Sequence, residues 1–342
     1  MCNRYDTDME PIWNGNGTGR PAGASAAGSQ RQVRTAFAEA PPSGCYNSPP
    51  RGGSAQARRP LLSPQFCSLK AALLRSARRG RPNLGYNESV TKEPLPANDP
   101  VAADLVQAIR SGDVESLKRL LVTHPGLASA RLQGERGGVR TPLHVAADWP
   151  GHFPNGRAVV AALLVAGADP NARVEGAWHT ETPLHWAASS GDLAMLDALL
   201  DGGAEIELDG ASIAGGTAMD DAVGYGQFHV ARRLVERGGR TKLWHAAALG
   251  LMDRVQEYFA GPVPPAQAEV TMAFWQACHG GQLVAAQFLL ARGANINWLP
   301  DWSPKTPLDI AQVSNPGRPP ADDLVRWLRE QGAKSASELA HR

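Results

Sequence analysis

The adjacent residues Cys278 and His279 are the first place where side-chain types could support chemistry, because a thiol beside an imidazole can act as nucleophile and base. Successive residues of a helix point about 100° apart, so neighbouring positions cannot readily aim both groups at one atom. Residues 101–342 contain no H-E-x-x-H, G-x-S-x-G or phosphate-loop pattern. We therefore predict no catalytic residues, no enzymatic activity, and a packed core position for Cys278.

Metal and phosphate sites are equally poorly supported. No two of the four cysteines show the C-x-x-C spacing of zinc or redox sites: Cys2, Cys45, Cys67 and Cys278. His152 lies near Asp148 but has no second ligand close in sequence. The Gly-rich stretch 210–216 has no strand pattern before it and no Lys after it, so we interpret it as a flexible loop. The sequence predicts neither a metal nor a cofactor.

Residues 1–100 differ from the rest of the chain in charge and composition. They carry 13 Lys/Arg and 7 Asp/Glu, a net +6, whereas the remaining residues carry 21 and 26, a net −5. They also hold 12 Pro and 10 Gly, a composition that cannot bury enough apolar surface to offset the entropy of ordering. We predict that this tail is disordered; the sequence leaves open whether translation starts downstream of Met1.

One tail segment, residues 61–81, could form a basic amphipathic helix, because its leucines recur at helical spacing among Arg and Lys. The segment gives an alternative function, which is binding of nucleic acid or another anionic surface. That alternative predicts an affinity that falls steeply with salt and is lost when residues 1–100 are removed.

The chain lacks signals for a membrane or for secretion. Its longest apolar run in residues 101–342 is 11 residues, against the roughly 20 that a bilayer span requires, and the first 17 residues have no apolar signal-peptide core. Few, widely spaced cysteines favour a reducing compartment. We expect a cytoplasmic, monomeric protein, although the sequence leaves export open.

Residues 101–342 repeat themselves. Five units end in Gly followed by a small residue, and the first three such ends, Gly167, Gly203 and Gly238, are 36 and 35 residues apart. In the clearest unit Thr182 is a helix N-cap and Pro183 takes the first helical position, where its missing N–H costs nothing. A leucine stripe then forms the buried face of a second helix.

A short motif marks the start of three units. It reads Thr-Pro-Leu-His-x-Ala twice, with Asp309 replacing the histidine in the third copy: Thr141-Pro142-Leu143-His144, Thr182-Pro183-Leu184-His185 and Thr306-Pro307-Leu308. This motif resembles the signature of the ankyrin-repeat family, and the body is similar to bacterial ankyrin-repeat proteins that have no assigned function. The resemblance implies histidines that bridge neighbouring turns, and a protein-binding role without catalysis.

The predicted fold is all-α, an ankyrin-repeat solenoid of about seven helix-turn-helix units behind the tail. The predicted domains are a tail at 1–100, the repeats at 101–335 and a C-terminal tail at 336–342. The units are expected at 103–132, 139–172, 180–210, 215–240, 241–262, 270–298 and 304–335. Two units carry insertions between their helices, at 148–157 and 315–320, and two of the turns between units, 173–181 and 298–305, are long.

Tryptophans give the best indication of a binding surface. We expect Trp244 and Trp275, which we align with the motif histidine, and Trp327 to lie in the core. Trp178, Trp186, Trp298 and Trp302 fall where ankyrin repeats expose their concave face and finger loops, and two interpretations stay open: they contact a partner or they plug the long fingers. The candidate protein-binding residues are Trp178, His179, Trp186, Asp220, Asp221, Trp298 and Trp302.

Overall fold

The computed structural model describes residues 93–134, 138–177 and 179–341. The predicted tail, including the basic segment 61–81, lies outside these residues, except for its last eight positions. Within the described ranges the chain forms 15 α-helices. They are α1 Pro100–Ser111, α2 Val114–Thr123, α3 Pro142–Ala147, α4 Gly156–Val165, α5 Pro183–Ser190, α6 Leu193–Asp201, α7 Ala218–Gly224, α8 Phe228–Glu236, α9 Leu243–Leu249, α10 Met252–Ala260, α11 Gln267–His279, α12 Leu283–Leu290, α13 Pro307–Ala311, α14 Asp322–Glu330 and α15 Ala336–Ala340.

The first fourteen helices form seven consecutive pairs, and the two helices of each pair pack against each other. The first helices of successive pairs also pack in order, from α1 through α13. A short hairpin of β1, Leu132–Gln133, and β2, Val139–Arg140, precedes the second pair. The predicted all-α solenoid of about seven units is confirmed.

The repeated motif caps the first helix of a unit in the same way each time. The backbone N–H of Thr182 donates to Nδ1 of His185 at 3.1 Å, and that of Thr141 donates to Nδ1 of His144 at 3.2 Å. Asp309 does the same for Thr306, with its Oδ2 at 3.1 Å. The third helical residue therefore satisfies a backbone donor at the helix start, as the acidic residue of a capping box does.

The other ring nitrogen of each motif histidine joins neighbouring units. Nε2 of His144 lies 3.1 Å from the carbonyl oxygen of Glu181, and Nε2 of His185 lies 3.4 Å from that of Gly216. Because Nδ1 accepts a hydrogen bond, Nε2 carries the proton and donates. Each acceptor is the residue just before the N-cap of the next first helix, so the histidine pins one turn to the next.

Trp275 performs the same connection without a histidine, because its indole Nε1–H donates to the carbonyl of Lys305 at 2.9 Å. The side chain is completely buried, as predicted. The prediction for Trp244 was one residue out of register. The N-cap of α9 is Lys242, not Thr241, and its backbone N–H donates to Nδ1 of His245 at 3.0 Å. His245 holds the motif position, and Trp244 is only half-buried beside it.

The fifth and sixth pairs are joined without a histidine bridge to a backbone carbonyl. The helix α11 runs unbroken from Gln267 to His279, and Nε2 of His245 lies 3.6 Å from Oδ1 of Asp220 in the preceding unit. The two units pack closely, since a Cβ added to Gly280 would lie 1.9 Å from the carbonyl oxygen of Ala248. Two apolar clusters, one spanning residues 102–249 and the other residues 243–333, overlap at α9.

Candidate functional site

The second finger is the loop that precedes α5, and predicted binding residues in and beside it surround a buried carboxylate. Trp178 lies outside the described residues. His179 is half-buried, with Nδ1 2.9 Å from Oε2 of Glu181, and Nε1 of Trp186 donates to the same oxygen at 2.9 Å. The Trp186 ring packs edge-on against His144, with centroids 5.1 Å apart. The half-buried Trp186 is thus fixed at both ends.

A second carboxyl group lies against Glu181. Asp221 on α7 is fully buried, and its Oδ1 accepts hydrogen bonds from the Ser212 hydroxyl at 2.9 Å and the Ile213 backbone N–H at 3.1 Å. The Ser212 backbone N–H donates to Oε1 of Glu181 at 3.1 Å, and its hydroxyl lies 3.1 Å from that of Tyr225. The stretch 210–216 is therefore not the flexible loop expected, because buried carboxyl groups and apolar contacts anchor its centre.

The two neighbouring carboxyl groups have pKa values that are shifted in opposite directions. Burial raises the pKa of Asp221 well above its usual range, and the neighbouring Glu181 charge raises it further. Burial opposes ionisation of Glu181 too, but hydrogen bonding and charge from His179 lower its pKa overall. These directions favour a protonated Asp221 beside an ionised Glu181.

Asp220 is a capping and pairing residue. Its Oδ2 accepts from the Thr217 backbone N–H at 2.8 Å, its Oδ1 pairs with the Lys242 ammonium, and its side chain is fully buried. Burial opposes its ionisation, but hydrogen bonds and charges from His245 and Lys242 hold the pKa of this carboxyl below its usual range. Neither Asp220 nor Asp221 reaches the surface, which corrects the expectation that they are polar contacts for a partner.

The remaining predicted binding residues, Trp298 and Trp302, lie in the finger before α13. Trp302 packs edge-on against buried Trp275, with ring centroids 4.9 Å apart, and Trp298 packs edge-on against Trp302 at 6.2 Å. Trp298 and Trp302 are half-buried. The geometry keeps both interpretations of these rings, since each plugs the finger with one edge and leaves another part exposed.

The comparison with known families agrees with this architecture. The family model described as "Ankyrin repeats (3 copies)" matches residues 105–209 and 152–242. Residues 105–242 of the chain are ankyrin repeats. A solved structure described as the crystal structure of human ASB11 ankyrin repeat domain is similar, with 20% sequence identity and a TM-score of 0.39 over 66% of this chain and 96% of that one. No curated protein sequence matches.

The ankyrin-repeat domain keeps its most reactive residue types in the core. Cys278 is completely buried, and burial raises the pKa of its thiol. Burial likewise lowers the pKa of His279 to about 3, so the imidazole is neutral. Among residues 93–134, 138–177 and 179–341, no group of three or more His, Cys, Asp or Glu side chains is arranged to hold a metal ion. No helix in that part of the chain is long and apolar enough to cross a membrane.

Sequence reasoning missed Glu181, Ser212 and Tyr225 as members of one cluster. Glu181 could have been noticed, because it directly precedes Thr182 and so stands at the base of a finger. Ser212 and Tyr225 come from the next finger and its helix, and nothing in their spacing shows that they meet Glu181. Trp149, which the structure exposes, was also left without a role.

Proposed function

We propose that this ankyrin-repeat domain is a cytoplasmic, monomeric scaffold that binds a protein partner and performs no catalysis. Its binding surface, the finger surface, consists of His179, Trp186, Trp298 and Trp302, with Trp178 beside His179 in sequence. Asp220 and Asp221 act behind this surface, by fixing the turns that carry it.

The arrangement of Trp298 and Trp302 carries the proposal. Both rings are part-exposed and are held by edge contacts that end on fully buried Trp275. Aromatic side chains contribute much of the binding energy in protein interfaces, because they bury a large area for few rotatable bonds. Rings already held in place lose little further freedom when a partner docks.

The same logic applies to the second finger. The hydrogen bond from Trp186 to Glu181 and its edge contact with His144 fix the indole, and the ion pair of His179 fixes the imidazole. The absence of catalysis in the proposal rests on the chain's chemistry: Cys278 and His279 are buried with their reactive forms disfavoured.

The test is affinity purification of the tagged protein from its source cells, with recovered proteins identified by mass spectrometry. The variant is Trp298→Ala, and the matched control is Leu299→Ala, which truncates an adjacent side chain that is 47% exposed. We expect proteins recovered with wild type and control to be lost from Trp298→Ala, while the thermal midpoints of both variants stay within a few degrees of wild type. Recovery of the same proteins by all three forms would show that Trp298 is only a plug of the finger.

A further inference from the structure

An exposed tryptophan lies in a loop that follows a first helix, whereas the finger loops precede the first helices. Trp149 is 74% exposed, which makes it the most exposed aromatic side chain among the described residues. It lies in the insertion 148–157, which joins α3 to α4. Tryptophan is enriched in protein interfaces, so further binding features near this residue would mark an interaction site.

The insertion is held firmly even though it is exposed. The backbone N–H of Gly151 donates to the Asp148 carbonyl at 2.8 Å, and that of His152 donates to Oδ2 of Asp192 on the next unit at 2.7 Å. The Asn155 side chain donates to the carbonyl of Gly112 on the preceding unit at 3.0 Å. The backbone of the loop that carries Trp149 is thus tied to both neighbouring units.

A shallow cavity of about 470 Å³ opens beside the same loop. Its apolar lining includes Phe153 and Met195, and His152 and Arg157 stand at its rim. The cavity has room for one aliphatic or aromatic side chain of a bound peptide.

The arginines around the loop are only partly neutralised by neighbouring carboxylates. The guanidinium groups of Arg110 and Arg140 share the single carboxylate of Asp148, at 3.2 and 2.7 Å. Arg157 is 61% exposed, and its carboxylate neighbour, Asp197, lies 3.8 Å away and is held closer by Arg237. Hence Arg157 is poorly compensated and can accept a carboxylate from outside.

The acid within the cavity does not cancel this charge at the surface. Asp192 has a side chain only 5% exposed, and its oxygens accept the backbone N–H groups of Met195 and His152. Its charge is directed into the start of α6, where the helix dipole stabilises it.

We propose that the insert surface, which comprises Trp149, His152, Phe153, Arg157 and Met195, binds an acidic peptide segment of a partner protein. An apolar side chain of the peptide fills the cavity, and a carboxylate beside it pairs with Arg157; a second apolar side chain contacts Trp149 on the same loop. This surface is separate from the finger surface, so the two proposals stand or fall independently.

The test begins with the selection of phage-displayed short random peptides on the wild-type chain. The enrichment of the selected peptides is then measured on variants. Trp149→Ala and Arg157→Glu alter the insert surface. The matched controls are Val263→Ala, at a side chain 81% exposed, and Arg326→Glu, which makes the same charge change at a side chain 67% exposed. A synthetic peptide of the selected sequence is then titrated against all five forms by fluorescence anisotropy, at low and high salt.

We expect the selected peptides to combine Asp or Glu with a Leu, Phe or Trp anchor. Their affinity should fall about tenfold or more in Trp149→Ala and in Arg157→Glu, stay unchanged in both controls, and weaken with salt. Thermal midpoints close to wild type in both variants separate loss of the surface from loss of the fold. The proposal would be overturned if the selected peptides were basic, or if their enrichment did not depend on Trp149. It would also be overturned if the wild type bound a short DNA duplex and Arg157→Glu lost that binding. The finger-surface variant Trp298→Ala should bind the peptide normally.

Discussion

Replacing Asp221 with Asn isolates the effect of the proton that this buried carboxyl retains. The amide oxygen of Asn can still accept from the Ser212 hydroxyl and the Ile213 N–H, as Oδ1 of Asp221 does. The variant therefore keeps these two hydrogen bonds and removes the titration of Asp221.

The sign and size of the effect follow from proton linkage. Native Asp221 retains its proton above the ordinary pKa of 3.8, near which the unfolded chain would release it. The native state then binds more protons than the unfolded state, so this group's contribution to stability falls as pH rises, by up to about 1.4 kcal/mol per pH unit, until the raised native pKa is reached. The amide that replaces this carboxyl in Asp221→Asn does not titrate and has no such loss. Above pH 5 the free energy of unfolding of Asp221→Asn should therefore rise relative to wild type, by up to about 1.4 kcal/mol for each pH unit that lies below the raised native pKa.

The assay is urea unfolding followed by circular dichroism, at pH intervals from 5 to 8, for wild type, Asp221→Asn and the control Asp323→Asn. Asp323 is 76% exposed, so its curve should run parallel to that of wild type. A constant difference between Asp221→Asn and wild type across this range would show that Asp221 is ionised in the native protein.

Three other residues give direct tests. Gly280→Ala places a methyl group against the backbone of α9 and should lower the urea midpoint strongly, whereas Gly261→Ala, whose nearest neighbour would lie 3.8 Å away, should change it little. Trp275→Phe removes the donor to the Lys305 carbonyl and should cost about 1–3 kcal/mol in the free energy of unfolding; a loss below about 0.5 kcal/mol would contradict its bridging role. Cys278 should react with a thiol reagent only at the rate of unfolding, and rapid labelling of Cys278 itself in the native protein, located by peptide mass spectrometry, would disprove its burial.

The sequence predicted the fold well because its strongest signals are local. Thr182 and Pro183 start α5 and Gly191 ends it, and each acts on the backbone of its own helix end. Such positions can be recognised without knowing what packs against them. The register of the fifth unit was missed because its local signal is misleading. Lys242 is an uncommon N-cap, so the sequence indicated Thr241 as the cap. The hydrogen bond from the Lys242 backbone N–H to His245 reveals the true start of α9.

The candidate site was harder to predict because it depends on contacts between units. Asp220 occupies the position that His185 and Asp309 hold in other units, so its capping role could have been inferred from the alignment of repeats. The burial of Asp221 could not, because it depends on how the loop carrying Ser212 folds over α7. The exposure of Trp149 likewise follows from the path of an insertion that the repeat pattern does not determine.

The neutral histidine bridges give the solenoid a further property. Burial lowers the pKa of His144 to about 4 and lowers that of His185 as well, while the Nδ1 atoms of both rings are already occupied as acceptors. Mild acidification from neutrality leaves the His144 ring uncharged, so its hydrogen bond to the Glu181 carbonyl persists. The spacing between the second and third repeats should therefore stay unchanged when the pH drops mildly, while exposed side chains gain protons.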